Sequence, residues 1–228
     1  MIDPRRPCVW LVDVSDQAFE ALADTDLPTE EDRRRADSMA DPARGRILLA
    51  RRAAVRVLLG READCAPGEV KVVVAPGGKP VYVPIGRPDA TPLAFSVAHT
   101  GDLFAVALGR ARSLGLDVEQ VRTVPRAEAI ATRWFGAAEA GRLTGLSREQ
   151  ADVEFMRLWT AKEALAKRHG AGLRLMRGDT GELNIQAAVD ANRLRYFKTA
   201  VGYAAALASS EVIEDIQIRQ PGEHEWTI

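Results

Sequence analysis

The stretch RGRILLARRAAVRVLLG at residues 44–60 decides the fold, because its plan recurs at residues 151–170 as ADVEFMRLWTAKEALAKRHG. In the first stretch Ile47, Leu48, Ala54, Val55, Leu58 and Leu59 fall on one side at helical spacing, and Gly60 reads as a stop. The other side is basic: Arg44, Arg46, Arg51, Arg52, Arg56 and Arg61, with no acid between residues 42 and 61. The second stretch is again a long amphipathic pattern closed by a glycine, Gly170.

Strands surround both helices. CVWLVDV at 8–14 reads as buried strand, and Ser15 or Thr29 as caps of the helices that follow it. Then come VKVVVA at 70–75, a Pro-Gly-Gly-Lys-Pro turn and VYV at 81–83. FSVAHTGDLFAVALG at 95–109 is a strand–turn–strand around Thr100-Gly101-Asp102. In the second half SLGLDVEQV at 113–121 reads as a strand, and Pro125 opens a helix carrying Ile130, Trp134 and Phe135. A loop follows Gly170. Further strands are expected at ELNIQAAV (182–189), RLRYFKTA (193–200), GYAAALAS (202–209) and VIEDIQI (212–218). Long helix, glycine stop, strand and small-residue hairpin thus occur twice, most visibly in GDLFAVALG and GYAAALAS. The expectation is an α+β fold with a pseudo-twofold arrangement of two similar subdomains, 1–112 and 113–228. Each would be a small, mainly antiparallel sheet on a long helix, with the join near Arg110–Ser113.

Composition narrows the function classes. The 228 residues are 46% hydrophobic and 28% charged, enough to bury a core, and the net charge of −1 is unlike that of a nucleic-acid coat or a polybasic membrane-surface protein. Cys8 and Cys65 form no disulfide or zinc pattern, and three scattered histidines form no metal motif. The opening MIDPRRPCVWLVDV lacks signal-peptide organisation, and no window has the roughly 18 apolar residues of a spanning helix. A soluble, cytoplasmic protein is expected. Arginines outnumber lysines 26 to 5, so each lysine is informative.

Four groups carry possible chemistry. Asp117-Val118-Glu119 on a strand would project both carboxylates from one face, as oxygen ligands for Mg²⁺ or as two solvated acids at a strand end. In Trp159-Thr-Ala-Lys-Glu-Ala-Leu-Ala-Lys167, Glu163 and Lys167 share a helix face. Taken singly they also read as a surface ion pair worth a few tenths of a kcal/mol. Gly77-Gly78-Lys79-Pro80 is a turn whose amides and ammonium suit a phosphate or a ring. His99, beside Thr100 and Gly101 at a strand end, reads as structural or, protonated, as a phosphate partner. Together they ask for a Mg²⁺-bound polyphosphate. No Walker A or G-x-G-x-x-G motif is present.

In order and spacing, GGKP (77–80), FSVAHTG (95–101), GLDVE (115–119) and WTAKEALAK (159–167) resemble the Sfp-type 4′-phosphopantetheinyl transferases. The resemblance implies transfer of phosphopantetheine from coenzyme A to a serine of an apo acyl or peptidyl carrier protein. It also implies Mg²⁺ dependence, release of adenosine 3′,5′-bisphosphate, and a fold of two α+β subdomains. It assigns Asp117, Glu119 and Glu163 to the metal, and Lys167, with Lys162 nearby, to the coenzyme A phosphates. His99 is placed on the 3′-phosphate, and Gly78, Lys79 and Pro80 on the adenine side. Arg33, Arg34 and Arg46 are candidates for the basic residues before the first long helix. Ala98 stands where the family has serine, so a phosphate hydrogen bond is lost or supplied by Thr100; Ser96 stands where asparagine is common. Glu163 is the candidate general base and, with Lys167, the catalytic pair. The carrier is expected near the Ile130–Phe135 helix, where Trp134 and Phe135 serve docking or core packing. A monomer is expected, with neither nucleic acid nor membrane as partner. A non-catalytic carrier-binding module is the competing reading. A Mg²⁺ nuclease is another, although its acid-x-lysine is absent, Gln120 following Glu119.

Overall fold

Alternation along the central strands decides the layering. In β1 (Cys8–Asp13) and β5 (Leu103–Arg110), Cys8, Trp10, Val12, Phe104, Val106 and Leu108 face one way and Val9, Leu11, Ala105 and Ala107 the other. The first set packs on α3 (Pro42–Ala63), and the alanine-rich set meets a second sheet. β8 (Tyr203–Ser209) alternates likewise: Ala205 and Leu207 meet the first sheet, while Ala206 and Ala208 meet α6 (Arg148–His169). The order of layers is therefore helix, sheet, sheet, helix. A computed structural model of the protein describes residues 2–84, 92–170 and 183–226.

The first sheet runs β4-β5-β1-β9, with β4 at Leu93–Thr100 and β9 at Gln217–Arg219; β1 is antiparallel to β5 and parallel to β9. The second runs β6-β8-β7, all antiparallel, with β6 at Leu114–Gln120 and β7 at Leu194–Tyr196. The Gly-Gly-Lys-Pro turn joins β2 (Lys71–Val74) to β3 (Pro80–Val83) as a separate hairpin. Shorter helices are α1 (Gln17–Ala21), α2 (Glu30–Asp37), α4 (Ala127–Trp134), α5 (Ala137–Gly141) and α7 (Ile185–Asp190). The α+β class is as the sequence implies.

Several local expectations change. Gly60 does not stop α3, which continues to Ala63 and ends at a left-handed Asp64. Gly60 instead admits the returning chain, since a Cβ there would lie 2.9 Å from the Cys65 carbonyl oxygen. Thr29 does cap α2, with Asp32 completing the capping box, but Asp16 rather than Ser15 caps α1. Of the strand expected at 182–189, Glu182 lies outside the described residues and the stretch from Ile185 is helix α7, because the Asn184 side chain accepts from the Ala187 amide at 2.8 Å and nucleates a turn. In RLRYFKTA only Leu194–Tyr196 forms strand. Of VIEDIQI only its end does so, and β9 joins the first half's sheet beside β1 rather than its own. Trp226, just beyond, packs on Phe19 in that same core. The loop expected after Gly170 lies outside the described residues.

One contact fixes β6 on α6. A Cβ on Gly115 would collide with the Ala164 carbonyl oxygen and the Arg168 amide nitrogen, both backbone. Strand and helix therefore meet main chain to main chain, which only glycine permits. Gly115→Ala is expected to cost about 3 kcal/mol or more, the upper end of overpacking. By calorimetry that is a fall in Tm of about 6–12 °C for a chain of this size.

Candidate active site

The close approach at Gly115 delivers the acids of β6 to the side chains of α6. Two residues along, Asp117 is buried, and its Oδ1 accepts from Lys167 Nζ at 2.8 Å. Val118, between the acids, goes into the inter-sheet core. Burial pushes the Asp117 carboxyl up to about 7, against the pull of Lys167, with the like charges of Glu163 and Glu119 adding to the rise. Asp117 Oδ2 is buried without a hydrogen-bond partner. Glu163 is also raised, first by burial, with Lys167 opposing and Glu119 adding. The three acids therefore share one neighbourhood. Among the described residues, however, no three acid, imidazole or thiol groups are gathered as a ready metal cage. Lys167 does not simply serve as a helix-surface partner for Glu163. Its ion pair is with Asp117, and its ammonium also lies 3.5 Å from the Val97 carbonyl of β4.

Beside Lys167 opens a cleft of about 230 Å³, lined by Gly77, Gly78, Lys79, Pro80, Ser96 and Val97 among others. The turn and the helix lysine, far apart in sequence, thus share one wall. Lys79 is half-buried and donates to the Leu114 carbonyl at 2.6 Å and more distantly to that of Arg168 at 3.4 Å. It ties the β2–β3 turn to the second half. Burial, helped by the Arg168 charge, pulls its ammonium down to about 8.

His99 is exposed at the end of β4, and partial desolvation of its ring, with the charges of Arg51 and Lys167, shifts it down. Ala98 is buried between the sheets. Thr100 Oγ1 donates to Glu119 Oε2 at 3.1 Å, so in this arrangement its hydroxyl serves the acid strand.

Other candidates lie elsewhere. Lys162, expected near the phosphates, is 1% exposed and donates to the Leu183 carbonyl at 2.8 Å, with Glu139 3.7 Å away. It faces the second half's interior because one residue along a helix turns the side chain about 100° from Glu163. Arg33 donates to the Thr25 carbonyl, Arg34 is exposed on α2, and Arg46 is paired twice with Asp24 at 2.9 Å. The basic face of α3 is largely neutralised by acids that precede it. Arg52 and Arg56 pair with Asp32, and Arg44 with Asp41. Arg51 differs. It lies over the Phe104 ring at 5.5 Å, its Nε without a hydrogen-bond partner, and its charge reaches His99. This corrects its assignment to the basic side of α3: Ile47, Arg51 and Val55 follow at spacing four, which sets the arginine along the apolar stripe.

The Asp117–Lys167 pair has a pH signature. A carboxyl raised above its unfolded value holds a proton in the folded state that the unfolded chain has lost. Its cost therefore grows as pH climbs toward 7 and is complete above it. Lys167→Met removes the one opposing cation, so Asp117 stays protonated to higher pH. The destabilisation relative to wild type is expected to grow by about 1.4 kcal/mol for each further pH unit above 7 until the variant's Asp117 ionises. Urea unfolding at pH 6 and pH 8.5 reads the difference.

Comparison with known proteins agrees with these features. Residues 113–219 match the family model of the 4′-phosphopantetheinyl transferase superfamily. A Synechocystis sp. protein described provisionally as a 4′-phosphopantetheinyl transferase is 32% identical over 170 residues, covering 75% of this chain and 65% of its own. The 4′-phosphopantetheinyl transferase HetI of Nostoc sp. is 33% identical, covering 61% and 58%. The 4′-phosphopantetheinyl transferase Sfp of Bacillus subtilis is 27% identical, covering 53% and 50%. The chain thus spans between 50 and 65% of the length of these relatives. Residues 113–219, which carry the acid strand and the lysine-bearing helix laid against it, match the 4′-phosphopantetheinyl transferase superfamily, and the chain is similar to transferases of that kind.

Proposed function

We propose that the protein transfers 4′-phosphopantetheine from coenzyme A to a serine of an apo acyl or peptidyl carrier protein, releasing adenosine 3′,5′-bisphosphate. The observation that carries this reading is the meeting of three separate motifs. Lys167 bonds Asp117 of the acid strand and lines the same cleft as the Gly-Gly-Lys-Pro turn. A long anionic ligand with an aromatic end suits such a place. The turn and the apolar wall of β4 would take the adenine, and Lys167, His99 and Arg51 would face the phosphates.

The donor set fits Mg²⁺. Asp117, Glu119 and Glu163 offer only oxygen, burial and then the like charges of the other two raise Asp117, and a buried Asp117 oxygen lacks a partner. These three residues would hold the ion, which when bound would neutralise phosphate charge. Lys167 would exchange its bond to Asp117 for the anionic ligand. The carrier serine oxygen attacks the phosphorus on the pantetheine side, and that phosphorus parts from the bridging oxygen. The bridging oxygen leaves with its electron pair on adenosine 3′,5′-bisphosphate. Glu163, raised by burial, takes the serine proton. Lys162 stands outside this set as a core residue. The arrangement is read as a monomer acting in the cytoplasm, with residues 1–112 on the adenine side and 113–228 holding the acids. Among the described residues no helix is long and apolar enough to cross a membrane.

The carrier is placed at α4. Phe135 is buried against Phe155 and Trp159, so it serves the core; Trp134 is half-buried. Arg126 and Arg133 are exposed on either end of the helix and suit an acidic carrier surface.

Incubation with apo carrier protein, coenzyme A and Mg²⁺ should add one phosphopantetheine mass to the carrier, and EDTA should abolish the gain. Glu163→Ala should lose transfer by at least about 100-fold, as expected for a general base; near-normal turnover would remove it from that role. Charge reversal at Arg126 and Arg133 should raise carrier KM and leave coenzyme A KM unchanged. An unmoved carrier KM argues for a different dock.

A further inference from the structure

β4 and β6 belong to different sheets, yet the acids depend on how the two lie together. Even-numbered residues of β4 face the second half: Ala94 and Ala98 pack in the inter-sheet core, and Ser96 and Thr100 lie in phase with them. Ser96 is 5% exposed, and its Oγ accepts from the Leu116 amide at 3.0 Å. Thr100 Oγ1 accepts from the Gln120 amide at 3.4 Å while donating to Glu119 Oε2. Both pairs are twenty residues apart, so the hydroxyls, four apart on β4, match amides four apart on β6 in parallel register. Between them Lys167 reaches the Val97 carbonyl. Asp117 and Glu119 are bracketed by the two bonded amides.

We infer that the Ser96 and Thr100 hydroxyls are positioning residues for the acid pair, setting the height of β6 against β4 and orienting Glu119. This rests on the proposed transfer reaction and adds to it. A direct main-chain ladder would bring parallel strands to about 4.8 Å. Hydroxyls standing between the strands hold them farther apart, and the gap admits the Lys167 ammonium. Ala98 supports the arrangement, because its small side chain lets the sheets close at the midpoint between the hydroxyls. Removing either hydroxyl leaves a β6 amide without its partner and frees that end of the acid strand. Partners of this outer kind typically carry 10–100-fold in metal affinity or activity.

The test compares Thr100→Val, nearly equal in shape, with Thr100→Ser, which keeps the hydroxyl, and with Ser96→Ala. Amide hydrogen exchange should accelerate about tenfold or more at Gln120 in Thr100→Val and at Leu116 in Ser96→Ala, since a local bond is opened. Mn²⁺ affinity by calorimetry and kcat should each fall about 10–100-fold with carrier KM within about twofold, and Thr100→Ser should restore both. If Ser96→Ala fails to fold, Thr100→Val at the strand end decides alone. Unchanged exchange in folded Thr100→Val overturns the seam. Lost protection with Mn²⁺ affinity intact leaves a structural hydroxyl and overturns the positioning role. If wild type binds Mn²⁺ but makes no transfer, the reaction is wrong and the affinity comparison still decides the positioning. If wild type neither binds Mn²⁺ nor transfers, both fall.

Discussion

The contact on which the rest depends is the meeting of β6 with α6 at Gly115. A strand and a helix ordinarily keep their backbones apart by the depth of two layers of side chains. Here a missing Cβ lets the strand rest on the helix backbone at Ala164 and Arg168. Asp117, two residues along the same face of β6, then bonds Lys167 of that helix at 2.8 Å. The burial that follows raises Asp117 and Glu163 together. Close packing and poised carboxyls are therefore one feature. The site costs stability that the cores on either side must offset, a common relation between function and folding.

Charge on the molecule is organised the same way. Six arginines on one helix look like an anion-binding face when read along the chain. Folding brings Asp24, Asp32 and Asp41 against four of them. The Arg44–Asp41 and Arg46–Asp24 pairs are exposed and contribute little each, whereas Arg56 and Asp32 pair largely out of solvent. What they do is remove competing positive charge from the surface and leave Arg51 beside His99, in the half-buried position where charge acts over distance.

Much of this was legible in the sequence because it is periodic or local. Short apolar runs bounded by turn residues marked β1, β5, β6 and β8, the long helices showed through their apolar spacing, and Asp117 and Glu119 flank the inward Val118 as expected. The misreadings have physical causes. ELNIQAAV alternates like a strand over a few residues, but a capping asparagine outweighs so short a pattern. Lys162 and Lys167 both flank Glu163 in the sequence, yet the helical turn sends one into the core and the other to Asp117. Ser96, Thr100 and Arg51 carry no motif that announces what they touch. Their partners lie nineteen or more residues away, reached across the two halves by Ser96 and Thr100 and within the first half by Arg51.

The crossover of the last strand bears on how the chain is made. Cys8 lies opposite Gln217, and Trp226 closes on Phe19, so the first strand's outer neighbour is synthesised long after the strand itself. The first half cannot complete its sheet during its own synthesis. Until then β1 presents an open edge, with backbone donors and acceptors available to other chains. Arg5–Glu214 and Arg6–Asp215 then fasten the returning segment at the sheet's border. Pairing over so long a loop is slow by its entropy. The two halves are thus coupled in folding through one shared sheet, whatever independence their repeated plan implies.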